Sequence, residues 1–60
     1  MRKAEIVRDD ADRTAIRVEF IDDDGGCEVS IFSGPDAFVR AEAYAVARHG
    51  NDYEAADGLR

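Results

Sequence analysis

Residues 27–49 read CEVSIFSGPDAFVRAEAYAVARH, and the change of rhythm inside that stretch decides the fold. From Cys27 to Ser33 the side chains alternate. Cys27, Val29 and Ile31 fall on one side, and Glu28, Ser30 and Phe32 on the other, which is the period of a strand. Ser33-Gly34-Pro35-Asp36 then supplies a capping hydroxyl, an acid three residues later and a proline suited to a first helical turn. Beyond it the chain is rich in alanine, the best helix former. Arg48 and His49 sit where cations complement the helix dipole, and Gly50 marks the stop. A helix is expected over residues 35–49.

Upstream the strand period recurs twice. In residues 2–8, Ala4 and Ile6 point one way and Lys3, Glu5 and Val7 the other. In residues 14–21, Thr14, Ile16, Val18 and Phe20 oppose Ala15, Arg17, Glu19 and Ile21. With the strand at 27–33 this makes three half-buried strands. Their connectors, Asp9–Arg13 and Asp23–Gly26, are short and polar, so an antiparallel meander is expected. Pairing Ile6 with Ile16 sets Glu5 against Arg17 and Lys3 against Glu19. Pairing Phe20 with Val29 avoids the Glu19–Glu28 clash that pairing Phe20 with Cys27 would bring. On these registers the sheet buries Ile6, Ile16, Val18, Phe20, Val29 and Ile31. Cys27 lies on the same inward side, and Phe32 lies on the open face over Arg17.

The helix is the available cover for that apolar face. The expected fold is α+β: a β-β-β-α two-layer sandwich, one domain over residues 1–60, with a weakly ordered tail at 51–60. The helix carries two apolar stripes. Ala37, Phe38, Ala41 and Ala45, with Tyr44 at the edge, form one; Val39, Ala43, Val46 and Ala47 form the other. The sequence leaves open which stripe meets the sheet. The other is a candidate surface for self-association or a partner, with Val39 and Val46 as its contacts.

Charge is the second strong signal. Fourteen acids face eight bases on 60 residues, a formal net charge of -6. Asp9, Asp10 and Asp12 crowd one connector, and Asp22, Asp23 and Asp24 the next. In a three-strand meander these tips lie at opposite ends of the sheet, about 20–25 Å apart for a seven-residue strand. Glu5, Glu19 and Glu28 lie between. Such a surface attracts basic partners and repels nucleic acid.

The sequence also narrows the chemistry. A domain this small buries about 60% of its unfolded surface and often leans on a disulfide, a metal or a partner. With one cysteine and one histidine, neither a disulfide nor a structural zinc site is available, so association with a partner or as a homodimer is the expected support. A lone thiol fits a reducing cytoplasm. No run approaches the ~18 apolar residues of a membrane span, and no signal-peptide core follows Arg2–Lys3. Asp22-Asp23-Asp24-Gly25-Gly26 fails the calcium-loop spacing at its fifth and sixth positions. Cys27 has only His49 as a conceivable base. There is no nucleophile elbow and no phosphate loop. No enzyme, metal or cofactor is expected, and no direct nucleic-acid contact.

In size, in charge and in its simple α+β layout the whole chain resembles small anti-CRISPR proteins of phages and mobile elements. No motif matches residue by residue, so the resemblance brings no site with it. It implies a small acidic inhibitor, in some members a mimic of DNA, set into the basic groove of a CRISPR effector subunit. The expected partner-binding residues are Asp9, Asp10, Asp12, Glu19, Asp22, Asp23, Asp24 and Glu28, with Phe32, Val39 and Val46 as apolar contacts. The alternative is a structural or regulatory module that docks through its alanine-rich helix.

Overall fold

A computed structural model describes residues 3–59. Arg2, the expected start of the first strand, and Arg60, the end of the tail, lie outside the described residues. Strands β1 (Ala4–Arg8), β2 (Ile16–Ile21) and β3 (Cys27–Phe32) precede helix α1 (Ala37–His49), and a short strand β4 (Tyr53–Ala55) follows it. The class is α+β and the first three strands form the expected meander. The tail, however, is not loose. It adds a fourth strand parallel to β1, with Ala4 beside Tyr53 and Ile6 beside Ala55, so the sheet runs β3-β2-β1-β4.

The fourth strand forms because α1 stops sharply. Gly50 adopts φ +63° and donates its N–H to Val46, and Asp52 donates to His49. Only glycine takes such a φ without strain. The reversed chain runs back along β1, where Asp52 accepts from Ala4 at 3.0 Å and Ala56 donates to Ile6 at 3.0 Å. Three residues are too few to show a period of two, which is why the tail reads as featureless.

Both expected registers are displaced, and both displacements begin in the loops. In the first hairpin Ile6 faces Val18, not Ile16, so Glu5 faces Glu19 and Val7 faces Arg17. Asp9 folds back into the loop, donating its N–H to Ala15 and accepting the Asp12 N–H on its carboxylate at 2.8 Å. Ala15 is buried beneath. Several net hydrogen bonds of about 1 kcal/mol each in this loop outweigh two cross-strand charge pairs of about 0.2–1 kcal/mol each. In the second hairpin Phe20 faces Glu28, not Val29. Asp22 accepts the N–H of Asp24 at 3.0 Å and of Gly26 at 2.7 Å, while Gly25 takes φ +87°. This is the three-residue hairpin loop that ends in a left-handed glycine.

A shift of one residue turns a strand over. Val29 and Ile31, expected in the core, are 48% and 52% exposed. Cys27, expected inward, is exposed as well. Phe32 moves from the open face to the helix side, where its ring lies 5.5 Å from that of Tyr44.

The core joins Ala4, Ile6, Ile16 and Val18 of the sheet to Ala37, Ala41 and Ala45 of the helix, all buried. Three alanines bring α1 close to the strands, and Phe20, Phe32, Phe38, Tyr44, Tyr53 and Leu59 close the margins. The first apolar stripe therefore meets the sheet, and the second faces outward, with Val39 65% exposed. The helix begins at Ala37, two residues late. Gly34 at φ +95° and Pro35 make a turn closed by the Ala37 N–H on the Gly34 carbonyl, and Asp36 takes the N-cap position without a side-chain bond. The Ser33 capping box does not form; the Ser33 carbonyl instead accepts from the Arg40 guanidinium. Among the described residues no helix is long and apolar enough to cross a membrane.

Candidate interaction face

The sheet has one face under α1 and one open. Strand alternation places Glu54 of β4, Glu5 and Val7 of β1, Arg17, Glu19 and Ile21 of β2, and Cys27, Val29 and Ile31 of β3 on the open side. Two zones result. Glu54, Glu5 and Glu19 occupy directly neighbouring positions on three adjacent strands. Beside them Ile21, Val29 and Ile31, each about half exposed, form an apolar strip.

The carboxylate row is neutralised only at its ends. Lys3 meets Glu54 at 3.2 Å, and Arg17 meets Glu19 at 2.8 Å. Glu5 stands between two carboxylates, and among the described residues no cation bridges it. Like charges directly opposed in a sheet are destabilising. The displaced first register and β4 create this arrangement; the sequence places Glu5 among the acids between the tips but sets it against Arg17, and so does not anticipate a row of three carboxylates with Glu54.

The acids expected to greet a partner divide sharply. Asp9 is buried, holds the Asp12 N–H and lies 3.5 Å from Arg17. Asp10 is exposed, with Arg13 at 3.7 Å and Arg17 at 3.8 Å. Asp12 accepts both the hydroxyl and the backbone N–H of Thr14, at 2.6 and 3.0 Å, and these bonds, the hydroxyl first, hold its carboxyl below the usual range. Asp22 serves the second hairpin loop, and Glu28 is bridged by Arg48 at 2.6 Å on the helix side. Asp23 and Asp24 stand exposed at the hairpin tip. The two acidic tips are thus partly consumed by their own turns, while on the open face Lys3 and Arg17 compensate Glu54 and Glu19 and leave Glu5 without a bridging cation among the described residues.

Of the expected apolar contacts, Val39 and Val46 are on the surface, while Phe32 is withdrawn against Tyr44. His49 stacks on Phe20, ring centroids 4.5 Å apart, on the helix side of the sheet, so the structure does not bring it to Cys27 on the open side. Among the described residues no three potential metal ligands gather. A cleft of about 450 Å³ opens at the start of α1 between Ile16, Phe38 and Leu59, larger than so short a chain suggests. Its arginine, Arg8, is engaged by the carbonyls of Arg13 and Gly58. Comparison with protein-family models, curated proteins and solved structures finds no match for this chain.

Proposed function

We propose that this chain is a small, non-catalytic, acidic protein-binding inhibitor of the cytoplasm. It docks the open face of its sheet on a basic protein groove and holds that groove against nucleic acid, as a DNA mimic does. A CRISPR effector subunit is the target that its size, charge and layout suggest. The observation that carries the reading is the Glu54–Glu5–Glu19 row, with Glu5 flanked by carboxylates and bridged by no cation among the described residues. The isolated chain bears the cost of that arrangement, and a partner's lysine or arginine set over Glu5 removes it. Local rules broken in this way mark functional positions. Ile21, Val29 and Ile31 supply the apolar centre that an interface needs beside a charged rim. Contact thus centres on Glu5, Glu19 and Glu54, with Asp10, Asp23 and Asp24 at the margins.

The test adds the chain to type I CRISPR effector complexes of several subtypes and measures target-DNA binding. Binding should fall as the chain is added, and the effect should weaken with salt and with Glu5→Gln. Unchanged DNA binding in every subtype would remove the proposed target. A second reading, docking through α1, rests on the outward Val39 and Val46. Loss of inhibition in a Val39→Ser, Val46→Ser variant, with Glu5→Gln inert, would favour it.

A further inference from the structure

We infer that β3 is a pairing edge for a second copy of this chain, with two β3 strands meeting antiparallel about Val29. The inference concerns assembly and stands whether or not the target proposed above is correct. The sheet ends in two unlike edges. β4 is only three residues long, whereas β3 is paired with β2 over six consecutive positions without a bulge. Natural edges are blunted by brevity, bulges, proline or charge. β3 has none of these on its outer side. Its one charged residue, Glu28, is turned to the helix face and tied to Arg48.

The backbone pattern shows which groups await a partner. Asp22 donates its N–H to the Gly26 carbonyl, making that pair hydrogen-bonded. Alternation then gives Phe20–Glu28, Val18–Ser30 and Ile16–Phe32 the bonded character across β2 and β3. Asp9 donating to Ala15 gives the same phase from the β1 side. The N–H and C=O groups of Cys27, Val29 and Ile31 therefore point off the edge. These same residues carry the exposed apolar side chains of β3.

A second copy matches that edge in chemistry. Antiparallel pairing about Val29 sets Val29 against its symmetry mate and Cys27 against Ile31 in both directions. It gives three apolar pairs on the open face and about six new backbone hydrogen bonds. Glu28 meets Ser30, whose hydroxyl is a donor, and no charge meets its like. Sliding to pair Glu28 with Glu28 would oppose carboxylates and leave Ile31 unmatched. The paired form is one eight-stranded sheet with both helices on one side. It enlarges the apolar strip at the centre of the open face and relieves the small-core problem of the single chain. Its two glutamate rows flank the strip, their β1 strands about 24 Å apart at ordinary strand spacing.

Light scattering across a concentration series tests this. The molar mass should rise from 6.6 kDa towards twice that value. Added salt should promote pairing, because each copy carries -6; association with a basic partner responds to salt in the opposite sense. Val29→Lys should hold the chain monomeric while its circular dichroism stays native. In a Cys27→Ser background, Val29→Cys should oxidise to a covalent dimer and Ile31→Cys should not, since the two Ile31 positions lie about 13 Å apart along the strands. A monomer at every concentration, a dimer broken by Val46→Lys but not by Val29→Lys, or crosslinking through Ile31→Cys alone would overturn the inference.

Discussion

Glu5 is the residue on which the functional reading turns, and its cost is measurable without a partner. Replacing it with glutamine removes one carboxylate from between Glu19 and Glu54, so Glu5→Gln should stabilise the isolated chain by about 0.2–1 kcal/mol in urea unfolding. Unchanged or reduced stability would mean that the row carries no strain to relieve. Asp12 makes the opposite case, a carboxylate satisfied by its own loop. The Thr14 hydroxyl and N–H lower its pKa in the folded chain. Its contribution is therefore complete above the unfolded value and disappears as pH falls through the lowered folded value. Thr14→Val should move the Asp12 carboxyl titration, followed by NMR, upward; an unmoved titration would show that the hydroxyl bond is not the cause. These residues also mark what the sequence conceals. The aspartates are conspicuous in it, but whether each one faces solvent or folds onto a neighbouring N–H depends on loop conformation. Clustered charge locates a turn without saying what the charge is for.

Among the elements, the alternation of β1, β2 and β3 and the body and stop of the alanine-rich helix are legible, because periods of two and 3.6 are local properties; its start is not, since Asp36 rather than Ser33 takes the N-cap position. Register is not local. Cross-strand charges favour one register, whereas the Asp9–Ala15 loop, anchored by its two buried ends, and the Asp22–Gly26 turn decide the pairing. One residue of error in β3 exchanged Val29 and Ile31 for Phe32 in the core. β4 escaped notice because its identity comes from β1, along which it lies. It is nonetheless structural: it covers the edge beside Ala4 and Ile6, both fully buried. Ending the chain after Asp52 should cost at least the uncovering of one large aliphatic side chain, about 1.5–3 kcal/mol by chemical denaturation. Retained stability would reduce β4 to an ornament. On α1, Ala41 is fully buried against the sheet and Val39 is exposed. Ala41→Leu should destabilise by about 1–3 kcal/mol through overpacking, and Val39→Ser should stay within about 0.5 kcal/mol of wild type. The reverse ranking would place the other stripe inward.

At the scale of the molecule, a thin body of 32 × 22 × 17 Å presents two outer surfaces of different character. One is the solvent side of α1, with isolated valines. The other is the open sheet, where a carboxylate row adjoins an apolar strip. A net charge of -6 makes the whole object attractive to basic surfaces, and the open sheet adds one carboxylate, Glu5, that faces two others and that no cation bridges among the described residues. The measurement that bears most directly on this account compares displacement of target DNA from type I CRISPR effector complexes by wild type, by Glu5→Gln and by Asp12→Asn at matched concentrations. The open face should be the determinant: Glu5→Gln should weaken displacement at least several-fold, while Asp12→Asn leaves it near wild type. Equal displacement by all three chains, or a loss confined to Asp12→Asn, would contradict the account.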